Sequence, residues 1–129
     1  MKKINLTPSD QQVLQKFVTY LEASNPEKIE FVGLFGSKAR GEDREDSDID
    51  VLVILKQEDR KLRREILKQA ARFSLEFDVL LSPRVIGLER WGQMRDFSLY
   101  RNIQQDAAGL EIIGGQLYLE PVQEAVLFA

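Results

Sequence analysis

The chain has 129 residues, 43% of them hydrophobic and 30% charged, a balance that supports a single globular core over disorder. Its 18 basic and 21 acidic residues give a net charge of −3, so no global attraction to nucleic acid or an anionic membrane is expected. Cysteine and histidine are both absent, which excludes disulfides, zinc–thiolate sites, thiol nucleophiles and Ser-His-Asp triads. Chemistry is left to carboxylates, hydroxyls, Lys, Arg and the backbone.

At the start, the MKKINLTPSD segment has two lysines but no apolar run behind them, so it does not read as a signal peptide. No stretch reaches the roughly 20 apolar residues of a membrane span, and a cytoplasmic location is the default expectation. Thr7-Pro8-Ser9-Asp10 predicts a helix start, with Thr7 as N-cap, Pro8 in the first turn and an acid three residues after the cap. Val13, Leu14, Phe17, Val18 and Leu21 follow at helical spacing, and Asn25-Pro26 ends the helix. Ile29 to Phe35 reads as a strand that ends at Gly36-Ser37, where a short turn or helix runs through Arg40 and Gly41.

The polar segment 42–47 predicts a loop, and Ile49 to Leu55 a second strand opening inside Asp48-Ile49-Asp50. Residues 58–76 carry Leu62, Ile66, Leu67, Ala70 and Phe73 at the spacing of an amphipathic helix. Phe77 to Leu81 reads as a third strand stopped by Ser82-Pro83, and 85–108 as helix in two pieces broken near Gly92. Leu110–Ile113 and Gln116–Leu119 flank Gly114-Gly115 as a hairpin. Trp91, Phe97 and Tyr100 are assigned to core or interface packing, and the mixed segment 88–101 is the candidate partner-facing surface.

Three features carry candidate chemistry. Asp48 and Asp50, two apart on a strand, project from one face with Cα atoms roughly 6–7 Å apart. They read either as a solvated acidic turn or as a seat for a hard divalent cation such as Mg²⁺. Gly36-Ser37 is either an ordinary strand-ending turn or a place where backbone N–H groups and a hydroxyl meet a phosphate. It is not a Walker A loop, because Glu42-Asp43 stands where Lys-Ser/Thr is required. Asp78, within an apolar run, is either an exposed edge residue or a third carboxylate converging on the first two. Three carboxylates in one place would suit two metal ions and in-line phosphoryl transfer without histidine.

Gly36-Ser37, ten intervening residues and then Asp48-Ile49-Asp50 resemble the GSx10DxD signature of the DNA polymerase β-like nucleotidyltransferase superfamily. The full string GSKARGEDREDSDIDVLV is similar to its minimal nucleotidyltransferase (MNT) branch, and the resemblance covers roughly residues 10–113. It implies one α/β (α+β) domain over 1–129, with a short mixed β-sheet carrying the active site and helices packed on it. It implies a two-ion Mg²⁺ site with ATP as substrate. Asp48 and Asp50 would hold the metal that accompanies the nucleotide, and Asp78 would bind the second metal and deprotonate the acceptor. Ser37 and the Gly36–Ser37 backbone would contact the β/γ-phosphates. Arg40 is placed either for phosphate contact or for a salt bridge into the 42–47 loop, and Lys38 stands where many relatives carry Arg.

With only about 50 residues after Asp78, no separate acceptor domain is expected. The resemblance therefore implies adenylylation of a partner, a tyrosine on a HEPN-domain ribonuclease toxin, with this chain as the antitoxin and no direct nucleic-acid binding. The alternatives are an aminoglycoside-type nucleotidyltransferase and a non-catalytic toxin-neutralising domain.

Overall fold

In the computed structural model, residues 6–41 and 48–122 are described. The first helix, α1 (Pro8–Ser24), starts as its sequence dictates. The Asp10 N–H donates to Thr7 Oγ1 at 3.1 Å, and the Thr7 N–H donates back to Asp10 Oδ2 at 3.0 Å. Two donors left without partners by helix geometry are thereby satisfied. Asn25 caps the other end.

Strand β1 (Ile29–Phe35) leads into a one-turn helix, α2 (Gly36–Arg40), and strand β2 (Ile49–Leu55) follows the 42–47 segment. The loop expected over 42–47 lies outside the described residues. Helix α3 (Arg60–Phe77) comes next, capped at its start by the Asp59 carboxylate, which accepts from the Leu62 N–H at 3.0 Å. Strand β3 (Leu81–Gly87), helices α4 (Leu88–Gly92) and α5 (Ser98–Asp106), and strands β4 (Ala108–Ile113) and β5 (Gln116–Pro121) complete the order. The β4–β5 hairpin turns on Gly114 (φ 58°) and Gly115 (φ 79°), the doubly left-handed conformation that favours glycine pairs.

The five strands form one mixed sheet in the order β3-β2-β1-β4-β5. Only β2 and β3 are parallel, as the α3 crossover between them requires; the other pairs are antiparallel. Alternation along β2 divides the core. Ile49, Val51, Val53 and Leu55 pack with Leu14, Phe17, Leu62 and Ile66 under α1 and α3. Leu52 and Ile54 point the other way, toward Trp91, Tyr100 and Ile103 of α4 and α5. Trp91 and Tyr100 stack with centroids 4.6 Å apart, while Phe97 of the same cluster is 59% exposed. No described helix is long and apolar enough to cross a membrane.

Two expectations are corrected. The run from Phe77 is not a strand: α3 continues through Phe77, and β3 starts only at Leu81. Residues 85–87, expected to be helical, belong to β3, and helix begins at Leu88. At Phe77 apolar residues at a helix end mimic a strand, and at 85–87 a short buried strand end runs straight into a helix, so periodicity alone misplaces both boundaries.

Candidate active site

Period-two alternation puts Asp48 and Asp50 on the β2 face that carries Leu52 and Ile54. Asp48, just before the strand, is exposed, and Asp50 is half-buried. Burial lifts the Asp50 pKa above its ordinary 3.8, and the Asp48 charge lifts it further, while Arg84 and Arg40 pull it down. A half-buried Asp50 carboxylate raised by desolvation and by its acidic neighbour marks a place where added positive charge is favourable.

Gly36 follows β1 directly, and β1 pairs with β2 so that Phe35 lies opposite Asp50. Gly36 sits at φ 75°, and a Cβ there would fall on Asp50 Oδ2 and lie 3.0 Å from its Cγ. The glycine thus serves two ends: it accepts the left-handed turn into α2, and it leaves the Asp50 carboxylate its space. Ser37 is half-buried in the first turn of α2, where backbone N–H groups lack intrahelical partners. Arg40 is exposed at the end of α2, with its charge felt at Asp50. The alternative partner for Arg40, the 42–47 loop, is outside the described residues.

Asp78 is not where the sequence reading put it. It is the C-cap of α3, exposed and left-handed at φ 52° ψ 43°, a conformation that aspartate tolerates better than most residues. Among the described residues no three acidic side chains are grouped closely enough to hold a metal. Asp48 and Asp50 are the residues here that would hold a hard cation, with Gly36 leaving room at Oδ2. Asp78 lies at the end of α3, three residues before β3, and not on a strand beside β2.

Two neighbours of the site were missed from sequence. In the parallel β2–β3 register Asp50 lies beside Ser82, and Arg84, two residues on, shares that face. The alternation of Leu81 and Val85, both buried, with Ser82 and Arg84 was the available signal. It is readable only once β3 is placed correctly. The third missed feature is Lys38. Its side chain is directed into the core, with Nζ 2.9 Å from Asp10 Oδ2 and side-chain exposures of 0% and 3%. A buried ion pair thus fastens the capped start of α1 to the helix that bears Gly36 and Ser37.

The family model "Polymerase beta, Nucleotidyltransferase" matches residues 15–84, more than half of the chain and a span containing β1, α2 and β2. The Methanocaldococcus jannaschii protein named "Putative protein adenylyltransferase MJ0141" is 38% identical over 73 residues, covering 56% of this chain and 74% of that protein. Among solved structures, a chain from a toxin–antitoxin crystal structure with AMP-PNP is 21% identical at a TM-score of 0.49, over 74% of this chain and 70% of that one. A chain from the complex of tri-AMPylated Shewanella oneidensis HEPN toxin with MNT antitoxin is 20% identical at a TM-score of 0.46, over 77% and 70%. With Gly36, Ser37, Asp48 and Asp50 at the signature spacing inside the matched span, the chain belongs to the polymerase β-type nucleotidyltransferase family.

Proposed function

We propose that this nucleotidyltransferase moves AMP from ATP to a hydroxyl of a partner protein, a tyrosine of a HEPN-domain ribonuclease toxin, and so acts as its antitoxin. The observation that carries the reading is the Asp48–Asp50 pair on one face of β2, with Gly36 built to leave Asp50 Oδ2 clear. The name of the 38% identical relative supports protein as the acceptor. The MNT-like string from Gly36 to Val53 supports the toxin partner.

In this reading Asp48 and Asp50 hold Mg²⁺, which when bound neutralises the triphosphate and the charge that develops on the leaving oxygens. Ser37 and the Gly36–Ser37 backbone take the β/γ-phosphates, and Arg40 adds charge from the end of α2. The acceptor oxygen attacks the α-phosphorus as its proton passes to solvent water, the bond to the bridging oxygen of the β-phosphate breaks, and pyrophosphate leaves. Positioning and electrostatics account for this chemistry, so a chain without histidine can perform it.

The test is incubation with labelled ATP and Mg²⁺, with and without a HEPN protein encoded beside this chain, read by intact mass. The proposal predicts that the HEPN protein gains one or more adenylates on tyrosine. Label on an aminoglycoside and none on protein would replace it with the small-molecule reading.

A further inference from the structure

Strand β3 ends the sheet, and its outer edge borders an open groove of about 410 Å³, within the size range of ligand pockets. Three cations line it, one from each surrounding element: Arg63 from α3, Arg84 from β3 and Arg90 from just after it on α4. Among the described residues no acidic side chain lines the groove, and neither Arg63 nor Arg90 has an ion-pair partner. This is not the average surface of an acidic chain. A second groove of about 360 Å³, between β1 and β4, is lined by Glu22, Glu30, Glu111 and Glu120 and by no cation. These two grooves carry opposite signs of charge.

We propose that the β3-edge groove docks an acidic, amphipathic segment of the acceptor protein, which brings the acceptor hydroxyl alongside Asp50. The inference rests on the reading that the acceptor is a protein, and it names the chemistry by which that protein is recognised. Charge complementarity supplies the sign: three arginines favour carboxylates, and Arg forks bind them bidentately. The rest of the lining supplies the amphipathic requirement, since Leu67, Met94 and Leu99 offer aliphatic surface between the cations.

RNA is the less suitable occupant. Among the described residues no aromatic ring lines the groove to stack a base, and the net charge of −3 opposes a long polyanion. Pro83 lacks an N–H and sits within the edge strand, so recognition falls to side chains and not to an added strand. The groove also opens on the active face. Ser82 at one end lies beside Asp50 in register, and the Arg84 charge acts on Asp50 directly.

The test is direct binding, which requires no turnover and so separates this inference from the transfer reaction. A short fluorescein-labelled peptide alternating Glu with Leu and Tyr is titrated with the full chain, beside a control with Lys for Glu. The same titration is made with R63E/R90E, two exposed positions outside the nucleotide site, after circular dichroism confirms the fold. The proposal expects the acidic peptide to bind, to weaken with salt, and to lose at least about tenfold in affinity in the double variant. Equal binding by both proteins, or no binding by the unaltered chain, overturns it. Displacement of the peptide by pyrophosphate would assign the groove to the nucleotide, and tighter binding of oligouridylate would assign it to RNA; either result overturns it too.

Discussion

Lys38→Met would remove the cation from a fully buried ion pair and leave Asp10 facing an aliphatic chain. Asp10 keeps the Thr7 N–H as a hydrogen-bond donor, but its charge loses the ammonium 2.9 Å away in a place where its side chain is 3% exposed. Breaking a buried pair from one side costs about 3–5 kcal/mol, because the surviving charge stays desolvated. Loss of the Thr7 cap alone would cost only about 1 kcal/mol. Against a total stability of roughly 5–15 kcal/mol, the difference is easily measured. The chain's one tryptophan, buried Trp91, reports unfolding in urea by its fluorescence. With a slope of about 1–3 kcal/mol per molar urea, the midpoint should fall by about 2 M. Removing both charges, in Asp10→Leu/Lys38→Met, should restore much of the loss, since an apolar pair of similar bulk is tolerated where a lone charge is not. A single variant within about 1 kcal/mol of the unaltered chain, or a double variant at the sum of the two single losses, would refute this account.

Gly36→Ala should cost about 1–2 kcal/mol for a left-handed non-glycine residue, plus the displacement of Asp50. In an Asp50→Ala background the clash with the carboxylate is gone and the backbone part with a 3.2 Å approach to Cβ remains, a coupling that paired urea titrations would measure. In metal-free protein, folding raises the Asp50 pKa above 3.8, so the folded state binds its proton more tightly than the unfolded one. This contribution to stability is full below the unfolded value and is lost as pH rises through the folded value. Asp50→Asn in EDTA should therefore melt higher than the unaltered chain at neutral pH, with the gap closing on acidification; a gap independent of pH would contradict the assignment.

What could be read from the sequence follows the range of the interactions involved. The Thr7–Asp10 cap, the α1 stripe and the Gly114-Gly115 turn are local, and local chemistry determined them. The pairing of Asp48 with Asp50 was legible because strand geometry relates residues two apart. The strand placement of Asp78 failed because one aspartate in an apolar run fits both a strand and a helix cap. The decision is made by where α3 stops, which depends on how Phe77 and Val79 pack against the core. Ser82 and Arg84 were invisible until the β2–β3 register was known, and Lys38 pairs across 28 residues with an acid already assigned to a cap. Those are tertiary facts, and spacing does not carry them.

The central claim is that Asp48 and Asp50 are the metal-holding carboxylates of a nucleotide-transferring site. Its most direct test is Asp48→Asn/Asp50→Asn, assayed for Mg²⁺-dependent transfer of labelled AMP to the HEPN protein, with the urea midpoint measured on the same sample. The account predicts transfer reduced to the level of a control without this chain, while the fold is retained. Transfer undiminished in a folded double variant would contradict it.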